Sequence, residues 1–175
     1  MMQQHSLIKR RIAANKKPEA VTLFFKLLRI FVEDLGLSAE NQKLSLTVPA
    51  SQKRFVVNLN SRYAITLEHN GSIGLLFEME DYRAVQKICK TSVMFRFRKA
   101  RRDDDYFLKY PVEKLTVKVL DRLLPYWIKA CKNLEHRMSR SPYRKFHSRE
   151  FYNLVMDEAL QHLYIVPGSA SQPPS

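Results

Sequence analysis

The chain has 175 residues, a formal charge of +13 and a pI near 9.9, with 45% hydrophobic and 27% charged residues. That length and apolar share fit one folded domain and exclude wholesale disorder. Four glycines are few for a protein built on glycine-rich phosphate loops. The charge points to anionic partners: nucleic acid first, then acidic membrane surfaces and acidic proteins.

Residues 1–17 form a basic arm without the apolar run of a secretory signal, so a cytoplasmic or nuclear location is expected. The arm can serve nucleic acid as a disordered tail, lie on a membrane as an interfacial helix, or be an inert end; the inert reading is preferred. Residues 18–36 then predict a helix opened by Pro18 and stopped by Gly36. Val21, Phe24, Leu28, Phe31 and Leu35 make one apolar stripe on it, with Leu23, Leu27 and Ile30 beside it, so its buried face is wide. Lys26 and Arg29 interrupt this most apolar stretch, and no transmembrane segment is expected.

Period-two apolarity follows. Leu44, Leu46 and Val48 alternate with polar residues, as do Phe55, Val57 and Leu59, then Tyr63, Ile65 and Leu67. An Asn70-Gly71 turn leads to Ile73, Leu75, Phe77 and Met79. Such a run is an antiparallel meander with one apolar face. Residues 80–90 predict a short amphipathic helix, and residues 93–99 and 106–110 a hairpin. A long helical pattern begins near Val112 and meets Pro125, where a kink or break is expected. Ser148 can cap a last helix, and residues 167–175 read as a disordered tail. The expected fold is thus a single α+β domain over residues 18–166. A four-strand meander plus a hairpin makes its antiparallel sheet, with helices packed mainly on one face.

The positive charge is concentrated. Residues 1–18 and 93–102 each carry five cations and no acid, and residues 129–149 carry seven cations against Glu135 alone. Those segments hold +16, which leaves −3 for the rest of the chain. In the predicted hairpin Val93, Phe95 and Phe97 face one way, Arg96 and Arg98 the other, and Lys99, Arg101 and Arg102 approach the tip. Arginine forks match phosphate oxygens two at a time. The bland alternative is a solvated edge whose tip is neutralised by Asp103, Asp104 and Asp105, and for the hairpin alone it is preferred. The connection HRMSRSPYRKFHSRE is the better candidate, mixing Arg137, Arg140, Arg144, Lys145 and Arg149 with Tyr143, Phe146 and serines. Otherwise it is a polar loop anchored by those two aromatics.

No catalytic motif is present. There is no nucleophile elbow, P-loop or dinucleotide fingerprint, and the five histidines form no H-x-x-x-H pair. Cys89 and Cys131 make no metal pair and read as buried, inert thiols. Glu78, Glu80 and Asp81 at a strand end and Asp103 to Asp105 at a turn would hold Mg²⁺ only if they met across the sheet. The preferred expectation is a non-enzymatic protein, without cofactor or metal, that binds DNA or RNA phosphates through Arg96, Arg98, Lys99, Arg101, Arg102, Arg137, Arg140, Arg144, Lys145 and Arg149. An assembly subunit for an acidic protein partner is the alternative, and a metal-dependent nuclease the third reading. No family resemblance is specific enough to name.

Overall fold

A computed structural model describes residues 8, 10–40, 44–47, 54–60, 62–89, 105–136 and 148–165. The fold is α+β. Five antiparallel strands lie in sequence order: β1 (Leu44–Thr47), β2 (Arg54–Leu59), β3 (Arg62–Glu68), β4 (Ser72–Glu78) and β5 (Asp105–Pro111). The first four make the expected meander, and β5 is the second arm of the expected hairpin. The first arm, residues 93–99, lies outside the described residues.

Helix α1 (Pro18–Asp34) begins on Pro18 and ends where Gly36 takes a φ of +61°, a left-handed conformation that glycine tolerates. Its face is as wide as the paired stripes require: Val21, Phe24, Leu27, Leu28, Phe31 and Val32 are all buried. Ahead of it, residues 10–13 are helical, and Ile12 is buried in the same core. Helix α2 (Tyr82–Cys89) follows a short 3₁₀ turn (Met79–Asp81) and packs by β5, where Tyr82 meets Tyr106 edge-on at 5.4 Å. Among the described residues no helix is long and apolar enough to cross a membrane.

The pattern near Val112 opens as a 3₁₀ turn (Val112–Lys114), and helix α3 (Val117–His136) starts only after it. Thr116 sets that start, accepting the Val119 N–H at Oγ1 (3.4 Å). The expected break at Pro125 does not occur, and α3 runs through it without interruption. Pro125 and Asp121, whose carbonyl loses its donor, are both exposed, so that loss falls on the solvent side of the helix. Buried Leu123, Trp127, Ile128 and Cys131 meanwhile hold the other side of the helix to the core.

The last helical stretch is divided, not continuous: α4 (Ser148–Met156) and α5 (Glu158–Ile165) meet at Asp157. Asp157 Oδ1 caps the second piece by accepting the Leu160 N–H at 3.0 Å. Gln161 Nε2 donates to the carbonyls of Leu154 (3.0 Å) and Val155 (2.8 Å), which closes the first piece.

The helices and one face of the sheet share the core: Ile65, Leu67, Ile73, Leu75, Phe77 and Leu108 lie against α1 and α3, and Phe31 stacks on Trp127 at 5.7 Å. One register irregularity matters. Val57 pairs with Ile65 but Asn58 with Tyr63, so Ala64 is an extra residue, a β-bulge. The alternation of Tyr63 with Ile65 and Leu67 therefore fails at Tyr63. Its ring turns to the opposite face, edge-on to Phe107 at 6.3 Å and under the Arg54 guanidinium at 5.4 Å. On that same face Phe107 and Thr66 crowd Gly74 so closely that a β-carbon there would overlap both. The bulge is used: Trp127 Nε1 donates to the Ala64 carbonyl at 2.9 Å, satisfying a buried acceptor and fixing α3 on the sheet.

Candidate functional site: the two ends of the sheet

Charged side chains gather at the ends of the strands because the strand interiors are buried on both faces. Glu78 ends β4 and Asp105 begins β5, and the two are register partners. The acidic groups thus meet across the sheet, at Asp105; Asp103 and Asp104 lie outside the described residues. Each carboxylate at this end has a cation from elsewhere in the fold. Arg62, at the start of β3, bridges to Asp105, whose side chain is 3% exposed. Lys129, projecting from α3, contacts Glu80 and reaches Asp81 at 3.0 Å and Glu78 at 3.5 Å. Asn133 Nδ2 donates to Glu78 at 2.8 Å. Just beyond, Asn60 turns the chain at φ +51° and its Nδ2 donates to the Leu134 carbonyl at 3.0 Å, serving the open end of α3.

Glu78, Glu80 and Asp81 offer carboxylate oxygens within 4.8 Å of one another, a spacing that a divalent ion accepts. The Lys129 ammonium already supplies positive charge to all three. Its hydrogen bond holds the Glu80 carboxyl below the ordinary value, and bonds to Glu80 and Asp81 raise Lys129 in turn. Chemically this is an ion-pair clamp between α3 and the sheet. Lys129 belongs to the basic segment 129–149 by sequence, yet its charge is spent here.

The opposite end is basic. Residues 10–15 cross the start of β2 and the end of β3, held there by Asn15 Nδ2 donating to the Glu68 carbonyl (3.0 Å) and Lys16 N–H to the His69 carbonyl (3.2 Å). Between them is a cavity of about 250 Å³ whose described lining includes Arg10, Arg11, Arg54 and His69 over Phe55 and Leu67. Lys17 crosses Gly71, where a β-carbon would overlap its side chain, and reaches Glu113 at 2.6 Å. That pairing holds the Glu113 carboxyl below its ordinary value. Glu68 takes Lys109 at 2.7 Å, and Arg54 only at 3.9 Å.

Other reactive groups are withdrawn from chemistry. Burial pushes the Cys89 and Cys131 thiols up, and likewise the Tyr106 and Tyr110 hydroxyls. Tyr110 spends its hydroxyl on the Cys89 carbonyl at 3.3 Å.

Of the residues expected to bind phosphates, Arg96, Arg98, Lys99, Arg101, Arg102, Arg137, Arg140, Arg144 and Lys145 lie outside the described residues. Arg149 is described. It is exposed on α4 and sits 3.5 Å from Glu40, itself exposed, a pair that leaves its charge largely open to solvent. Arg10, Arg11, Arg54 and Lys129 were not singled out by motif or spacing, and only the count of cations before Pro18 carried a trace of the cavity. No family model, curated protein or solved structure matches this chain.

Proposed function

We propose that the protein is a non-enzymatic binding protein for nucleic acid, DNA or RNA, held mainly through phosphates by the basic segments 93–102 and 137–149. The observation that carries this reading is where those segments are attached. Asp105, three residues after Arg102, pairs with Glu78, and Glu78 accepts from Asn133, one turn before the last residue of α3. The described residues that flank Arg102 and Arg137 in sequence, Asp105 and His136, are therefore at or near one end of the sheet.

The described carboxylates there are also engaged. Asp105 is engaged by Arg62, and Glu78, Glu80 and Asp81 by Lys129, all from the folded body. Of the three acids in the bland alternative, Asp105 is thus withdrawn from the tip, while Asp103 and Asp104 lie outside the described residues. Cations in excess over their local acids favour a polyanionic partner, whose counterion release rewards each phosphate contact.

Binding to fluorescent single-stranded and duplex oligonucleotides, titrated from low to physiological salt, tests the reading. About five phosphate contacts give a log–log slope of about −4 to −5 on duplex DNA. Replacing Arg137, Arg140, Arg144 and Arg149 together by alanine flattens the slope. An unchanged slope removes the second segment from the site, and no binding at low salt turns the search to an acidic protein partner.

A further inference from the structure

We propose that the groove between the end of α1 and the exposed side of α3 is the contact surface of a two-fold dimer of this chain. The inference does not rest on the nucleic-acid reading, which uses none of the groove's residues.

The groove holds about 500 Å³, and its described lining includes Asp34, Asp121, Leu124, Pro125, Ile128 and Lys132. At about 3.6 residues per turn, Asp121, Pro125, Ile128 and Lys132 fall on one straight stripe of α3. Ile128 is the buried floor, Leu124 is half-buried beside it, and Asp121, Pro125 and Lys132 are exposed. The helix thus presents an acid, then an apolar middle, then a cation. Asp121 and Lys132 stand about 16 Å apart along the axis, too far to pair with each other.

These charges are uncommitted. None of Asp34, Asp121 and Lys132 enters an ion pair among the described residues, whereas Lys129 beside them is held by Glu78, Glu80 and Asp81. Asp34 ends α1, a helix with no cation in its last turn, so the helix dipole disfavours its charge until a cation arrives.

A stripe in this order complements itself when turned end for end. A two-fold axis passing between Pro125 and Ile128 lays two copies of α3 antiparallel. Asp121 of each copy then meets Lys132 of the other, and Pro125 of each meets Ile128 of the other. Both pairs share one midpoint on the helix, so a single axis serves both. Pro125 also leaves the Asp121 carbonyl without its helical donor, and the incoming ammonium can donate to it as well. A wholly acidic or wholly basic partner would match one end of the stripe and meet like charge at the other. A second copy matches both ends. The net charge of +13 opposes association and the apolar middle is short, so the dimer is weak, with a Kd in the micromolar range.

The experiment is sedimentation velocity of the full chain in physiological salt, from low micromolar to several hundred micromolar. The parent is expected to pass from monomer to dimer across that series. Asp121→Lys and Lys132→Asp both fall at exposed positions, and each alters both symmetry-related contacts. Each should weaken dimerisation about tenfold. An equimolar mixture of the two variants should restore it, because both contacts of the mixed dimer again set Lys against Asp. Restoration also shows that both variants are folded. A parent that stays monomeric throughout, a dimer indifferent to either reversal, or a mixture no better than its components overturns the proposal.

Discussion

Arg62 and Arg54 stand at opposite ends of adjoining strands and have opposite circumstances. Arg62 reaches a buried carboxylate, Asp105, supplied by a strand distant in sequence. Arg54 is itself the more buried, yet its carboxylate is shared with Lys109 and lies at the limit of an ion pair. At the acidic end, four carboxylates meet two cations and an asparagine, all held by the fold. At the basic end, Glu68 and Glu113 serve Lys17, Lys109 and Arg54, while Arg10 and Arg11 face a cavity. Charge that is held at close range belongs to stability; a pair at the limit of contact, such as Arg54 with Glu68, adds little to it.

That contrast is easiest to break at Arg62. Arg62→Ala removes the ion pair to the buried Asp105 carboxylate and should lower unfolding free energy by about 3 kcal/mol in urea titration. Adding Asp105→Ala should recover part of the loss, a coupling that a double-mutant cycle reads directly. An unchanged urea midpoint for Arg62→Ala would mean that the acidic end is not a stability device.

Lys129→Met should cost less, because the ammonium is more open to water, and it leaves three carboxylates facing one another. Mg²⁺ should then raise the unfolding midpoint of the variant more than that of the parent. An equal Mg²⁺ effect would show that the ammonium does not stand where an ion would.

Arg54→Met sharpens the comparison from the other side. Glu68 keeps Lys109, so stability should stay within about 1 kcal/mol of the parent or rise, in the same urea titration. A loss as large as that at Arg62 would make the two ends equivalent.

The smallest effect is on acidification. Lys129 and Lys17 hold Glu80 and Glu113 below the ordinary 4.5. Their contribution is complete above that value and is lost as pH falls through the lowered ones. The unfolding midpoint should decline modestly below pH 4.5, and less so in Lys129→Met.

The acidic end was partly legible. Glu78, Glu80, Asp81 and Asp105 announce themselves as clusters, and period-two apolarity places the strands that carry them. What brings them together is register, which hydrophobic alternation leaves open by whole residues. The bulge at Ala64 shows the limit well. One inserted residue turns Tyr63 to the far face, where it supports Arg54, yet the alternation of Tyr63, Ile65 and Leu67 looks unbroken in sequence. Lys129 was misleading for a related reason: it sits in a basic run, while its partners lie about fifty residues earlier. The cavity was not legible at all. It depends on Asn15 meeting the Glu68 carbonyl, a contact across 53 residues that no local pattern encodes. Helix ends followed local chemistry at Gly36, where glycine takes the left-handed conformation, and departed from periodicity at Asp157, where a capping side chain intervened.

The single tryptophan gives these tests an internal witness. Trp127 is fully buried between Phe31 and the bulged strand, with its indole N–H engaged. Its emission should be blue-shifted while α3 stays seated, and should move to the red when the helix lifts from the sheet. Neither Arg54 nor Arg62 touches the indole. A variant that loses ligand without shifting the spectrum has therefore lost a contact, and one that shifts it has lost the fold.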